Sequence, residues 1–180
     1  MLPKITMTLL LCLSVVSVPA AIQQLAPLDL PPQARVALYE KFPDWQYVNV
    51  SDEIREVLKR DCGPNIRPDL ISGDFDGDGQ ADYAALISHG VMRNDDGEVI
   101  GSRWYLVVFL AQAYAYRLVV IEDPGGEFIR LIRKGDGGYN YETQEEFIYQ
   151  NDAIDSIIFE KAATTYVYEN GHFRAIITGD

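Results

Sequence analysis

The sequence predicts an α+β domain in which two N-terminal helices are followed by a mainly antiparallel β-sheet built of hairpins in a meander. Three observations lead there. Two short segments before residue 64 carry helical spacing with start and stop signals. From Leu70 onward, runs of β-branched and aromatic residues alternate with clusters of Gly, Pro, Asn and Asp. Near the C-terminus, Asn170-Gly171 between two such runs is a strong hairpin signal. With 180 residues, 48% of them hydrophobic, the chain suits one packed core rather than two.

Residues 1–21 read as a secretory leader. Lys4 precedes an apolar run from Ile5 to Val18, and Pro19-Ala20-Ala21 supplies small residues for cleavage after Ala20 or Ala21. The run is too short to span a bilayer, and Thr6, Thr8, Ser14 and Ser17 dilute it. Cys12 follows Leu11 rather than a small residue, so a lipid anchor is not expected. Residues 22–180 would then form a single exported domain, secreted or periplasmic, with Cys62 as its lone cysteine and no internal disulfide. Across the chain 27 acidic residues face 15 basic ones, for a net charge of −12. Such a surface disfavours nucleic acid and anionic membranes as partners and favours cations.

The elements follow in order. Gln33 to Phe42 places Val36, Tyr39 and Phe42 on one helical face, with Leu38 beside them, and Pro43 stops the pattern. Tyr47 to Val50 reads as an extended connection or edge strand. Ser51 is a helix N-cap, followed by Asp52 and Glu53 in the first turn, while Lys59 and Arg60 sit in the last, where the helix dipole favours them. Ile54, Val57 and Leu58 make the buried face, and Gly63-Pro64 ends the helix. Strands are expected at Leu70-Ile71, Tyr83 to Ile87, Trp104 to Leu110, Tyr114 to Ile121, Phe128 to Ile132, Phe147 to Tyr149, Ile154 to Phe159, Thr164 to Tyr168 and His172 to Ile177.

One stretch carries chemistry. In Gly73-Asp74-Phe75-Asp76-Gly77-Asp78-Gly79-Gln80-Ala81-Asp82, carboxylates occupy positions 1, 3, 5 and 9 of a loop, and Gln80 at position 7 can offer its backbone carbonyl. Calcium takes ~6 to 8 oxygens, and glycines at 77 and 79 permit the positive φ of a tight wrap. A helix-loop-helix calcium hand needs a Glu at position 12, where this chain has Ala85, and flanking helices, where it has predicted strands. An acidic turn that binds nothing is the plain alternative.

The loop resembles the FG-GAP or VCBS-type calcium loop of integrin α-chains and exported bacterial proteins, through its Asp-x-Asp-x-Asp-Gly-x-x-Asp pattern. That resemblance implies calcium held by Asp74, Asp76, Asp78 and Asp82 plus the carbonyl of Gln80, between two strands. It covers about fourteen residues, and with no second copy in the chain a full propeller is excluded. A competing likeness takes Asp74-Phe75-Asp76-Gly77 as the Asp-x-Asp-Gly motif of haloacid-dehalogenase-type phosphatases, which implies Asp74 as nucleophile, Asp76 as general acid/base and a doubly wound α/β fold.

Other candidates are weaker. His89 and His172 have no metal-like spacing, Ser72 and Ser88 lack a nucleophile-elbow context, and Lys134 to Gly138 lacks the helix of a phosphate loop. Glu142, Glu145, Glu146 and Asp152 are read as a solvated surface, with a second cation site as the sharper alternative. Tyr139, Tyr141, Tyr149, Tyr166 and Tyr168 suit packing or an aromatic protein- or carbohydrate-binding face. The expectation is an exported domain with structural calcium in a binding or accessory role, non-enzymatic. Its alternatives are a metal-dependent, phosphatase-like hydrolase and an interaction or carbohydrate-binding module.

Overall fold

Helix α1 (Pro32–Lys41) starts where Pro31 holds an extended backbone and Pro32 presets the first helical φ. Its buried face is Ala34 and Leu38, continued by Phe42, whereas Val36 and Tyr39 are 59% and 54% exposed. The expected Val36-Tyr39-Phe42 stripe is therefore corrected to the i, i+4, i+8 row, because Leu30 and the sheet beneath cover the Ala34–Leu38 side. Helix α2 (Asp52–Cys62) follows its signals: the Ser51 hydroxyl accepts from the Ile54 N–H at 3.3 Å, and Gly63 closes the end at φ 100°. These coordinates form a computed structural model that describes residues 29–64 and 66–179; the expected leader lies outside them.

The strands are β1 (Gln46–Tyr47), β2 (Leu70–Gly73), β3 (Asp82–Arg93), β4 (Val99–Gln112), β5 (Ala115–Glu122), β6 (Phe128–Ile132), β7 (Gly137–Asn140), β8 (Glu145–Ile148), β9 (Ala153–Ile158), β10 (Ala162–Glu169) and β11 (His172–Gly179). They build three antiparallel sheets. The first has the order β1-β3-β4-β5, with β2 also on β3; the second has the order β11-β10-β9-β6; β7 and β8 form a separate ribbon. The expected α+β class is overturned by this count: among the described residues 50% are strand and only the two short helices α1 and α2 accompany them. The protein is mainly β. Its two helices do not form an N-terminal layer ahead of one sheet, since β1 lies between them and pairs with β3.

Strand β4 explains why a helix is needed at all. Its run Tyr105 to Leu110 is buried throughout, so both faces of the first sheet are covered. Leu106, Val108 and Leu110 join Ala84, Leu86 and Ile71 on one face, and there they meet Ile129, Ile154 and Tyr166 of the second sheet. Tyr105, Val107 and Phe109 point the other way, toward Leu30, Ala34 and Leu38. The period-2 alternation of a strand thus assigns successive residues to two cores. Helix α2 closes a third cluster, with Val50 and Ile54 against Phe128. At the outer edge, Arg117 of β5 lies over the Tyr168 ring of β10, 5.5 Å from its centroid.

Hairpin chemistry decides the connections. Asn170 and Gly171 both take positive φ, 51° and 87°, as a tight two-residue turn between β10 and β11 requires. The β4–β5 connection is also tighter than expected, with Gln112 paired to Ala115 across two residues. Strand β7 was not among the expected strands, because Gly137-Gly138 reads as a turn. Gly138 is a strand residue here because the rings of Phe147 and Tyr149 cross it, and a Cβ would lie 2.6 Å from Phe147.

The assignment of α1's faces makes a direct expectation. Leu38→Ala should lower unfolding stability by about 2–5 kcal/mol in urea titrations, the range for a fully buried leucine. Val36→Ala should change it by less than about 0.5 kcal/mol.

Candidate metal centre

The acidic loop is the connection of the β2–β3 hairpin, closed by the pairing of Gly73 with Asp82. Within it, one oxygen from each of Asp74, Asp76 and Asp78 lies within 4.8 Å of the others. Among the described residues this is the one such group of three. Backbone N–H groups set the carboxylates: Gly79 donates to Asp74 Oδ2 (3.1 Å), Asp78 to Asp76 Oδ1 (3.2 Å) and Gln80 to Asp78 Oδ1 (2.8 Å). Gly77 and Gly79 take φ of 79° and 85°, which lets the chain turn sharply enough for alternate side chains to converge.

Three carboxylates this close repel one another by on the order of 3 kcal/mol per pair at an effective dielectric of 20. Burial, first, and then the neighbouring Asp78 and Asp74 charges push the Asp76 carboxyl above its ordinary value, against the Asp78 N–H that lowers it. One oxygen marks where a counter-charge fits: Asp74 Oδ1 is buried and accepts no hydrogen bond. A buried carboxylate oxygen without a donor is costly unless a cation faces it. The donors are all hard oxygens, so the group could hold a metal ion of the oxygen-seeking kind.

Asp82 stands apart from these three. It is fully buried, and its carboxylate is spent on the backbone: Oδ2 accepts from Phe75 N–H (2.8 Å) and Asp76 N–H (3.4 Å), and Oδ1 from Ala111 N–H (2.7 Å). Burial pushes its carboxyl up to about 6, opposed by those same N–H groups. Asp82 thus shapes the loop and ties it to the end of β4. Gln80 lies at the exposed outer end, where its side-chain amide donates to Asp78 Oδ2 at 2.6 Å.

The loop is seated against the second sheet by Asp152, which the sequence reading placed in a solvated acidic surface or second cation site, and by Arg133 and Asn151, to which it gave no role. Asp74 N–H donates to Asp152 Oδ2 at 3.1 Å, and Asp152 N–H donates back to the Asp74 carbonyl at 3.2 Å. Asp152 also accepts from Arg133 Nη1 (3.1 Å) and Lys134 N–H (2.9 Å). The Asn151 amide covers Gly77, where an added Cβ would lie 2.5 Å from Asn151 Oδ1. Phe75, between two of the acids, is fully buried in the core shared by the two sheets. No sequence signal links Asp74 to a residue 78 positions away.

The remaining candidates are not drawn together. Asp152 serves the loop rather than a cluster with Glu142, Glu145 and Glu146, which lie on the β7–β8 ribbon and its turn. His89 packs against the Phe42 and Tyr105 rings and faces Asp44, while His172 sits on the exposed β10–β11 turn. Lys134 meets Asp152 through its backbone, with no helix behind it. No helix among the described residues is long and apolar enough to cross a membrane. Comparison with protein-family models, with curated proteins and with solved structures returns no match.

Two substitutions test this construction with chelator present. Asp82→Ala should cost about 2–5 kcal/mol in chemical denaturation, because it strands buried backbone donors. Gly77→Ala should cost about 1–3 kcal/mol through its positive φ and the Asn151 contact.

Proposed function

We propose that the chain is an exported calcium-binding domain in which the cation is structural and fastens the β2–β3 hairpin against the second sheet, in a binding or accessory rather than catalytic protein. The observation that carries this reading is the convergence of Asp74, Asp76 and Asp78, one of which, Asp74, also has a buried and unpartnered Oδ1. Loop spacing of the FG-GAP or VCBS type supports calcium over other hard cations, since calcium tolerates the irregular, many-oxygen shell that an acidic loop offers. The carbonyl of Gln80 and water would complete that shell. Export rests on the order of Lys4, the apolar run and Pro19-Ala20-Ala21.

The phosphatase-like alternative gains no support from the site. Asp74, its nucleophile, has Oδ1 buried and Oδ2 engaged by Gly79, and both its backbone groups are bonded to Asp152. The surrounding antiparallel sheets also differ from the doubly wound α/β fold that this likeness implies.

Calcium titration by calorimetry should give one site, and saturating calcium should raise the melting temperature relative to chelator. At a hundredfold excess over Kd the gain is about 2.7 kcal/mol. Asp76→Asn should remove most of the binding while leaving the chelated protein as stable as wild type or more so, since one repulsive charge is gone. Absence of both heat and melting shift would refute the calcium reading.

A further inference from the structure

Beside the acidic loop, a groove of about 500 Å³ opens between the first turn of α1, the outer end of the loop and the β4–β5 turn. Its size falls within the usual range for small-molecule sites, ~300–1,000 Å³. The lining chemistry is unusual for this protein. Three carboxamides, Gln33, Gln80 and Gln112, meet there with Tyr114 and Tyr116, and the remaining lining residues are alanines. In a chain with net charge −12, no charged side chain among the described residues lines the groove.

Two features make it a built surface. Tyr116 is held rigidly, edge-on to Tyr83 at 6.0 Å and to Phe109 at 6.4 Å between ring centroids. Tyr114, in contrast, is 98% exposed on the turn and has no packing role. The small alanines keep the groove open between the two rings and the amides. Gln80 is oriented from behind by its bond to Asp78 Oδ2.

We propose that this groove binds an uncharged, polyhydroxylated ligand, a saccharide. Carboxamides both donate and accept, which matches hydroxyls that do the same. Exposed tyrosine rings offer a flat apolar face for the C–H side of a sugar ring, at low entropy cost, with a phenol at the rim. An anionic ligand would meet a net negative protein and find no cation in the groove. A wholly apolar ligand would leave three amides unpaired. This inference does not depend on calcium at the neighbouring loop.

The test follows backbone amide resonances of the isotope-labelled protein during titration with cellohexaose, maltohexaose and chitohexaose, each in calcium and in chelator. At least one of the three should shift Gln80, Gln112 and Tyr114 together. Tyr114→Ala should weaken that binding by about tenfold without changing the melting temperature, as expected for an exposed ring. No shift by any of the three, or equal affinity of Tyr114→Ala, overturns the proposal, as does binding that maps only to Tyr139 and Tyr141 on the β7–β8 side. Equal binding in chelator supports the groove and leaves the calcium reading to its own titration.

Discussion

The seating of one loop between two sheets is the constraint on which the arrangement depends. Phe75 enters the shared core, and a side chain can do so only if the backbone that carries it is buried with its polar groups satisfied. Asp82 supplies that satisfaction from below, accepting the Phe75 and Asp76 amides, and by also accepting Ala111 N–H it fixes the loop to the central strand. Asp152 does the same from the second sheet by exchanging two hydrogen bonds with the Asp74 backbone. Once the loop is placed in this way, Asp74, Asp76 and Asp78 are forced together at its outer rim.

That division of labour separates two kinds of carboxylate that look alike in the sequence. Asp82 is buried and surrounded by N–H donors, so its charge is compensated within the chain. Asp74 and Asp76 each accept from one N–H and Asp78 only from Gln80, against three backbone donors to Asp82, and one oxygen of Asp74 receives none. A cation at the rim would relieve the repulsion among them and at the same time tighten the contact of Asp74 with Asp152. Metal affinity and the packing of the two sheets would then share a single free energy, as in other sites where binding and folding are coupled.

The exposed end of the same loop faces a surface of different character. There the carboxylates give way to amides, alanines and tyrosines, and Gln80 bonds to one region while lining the other. A packed aromatic ring at Tyr116 and a free ring at Tyr114 are arranged at the β4–β5 turn, away from the inter-sheet core. The charged and uncharged surfaces are thus adjacent but chemically distinct.

Sequence by itself determined the local features, because they depend on neighbours in the chain. Ser51 as a cap, Asn170-Gly171 as a turn, the strand from Trp104 to Leu110 and the acids at 74, 76 and 78 in one loop were all legible from spacing and residue type. Tertiary structure decided whatever depended on partners far along the chain. Helical periodicity alone could not choose between the Val36 and Leu38 faces of α1, since Leu30 and the underlying sheet make that choice. The balance of helix and strand shifted to mainly β chiefly because β3 continues past Ile87 to Arg93 and β4 begins at Val99 rather than Trp104, each extension paired with the other. Asp82 was legible as an acid of the loop, but its role as a buried acceptor for three amides, one of them on β4, arises only when the sheet brings Ala111 beside it.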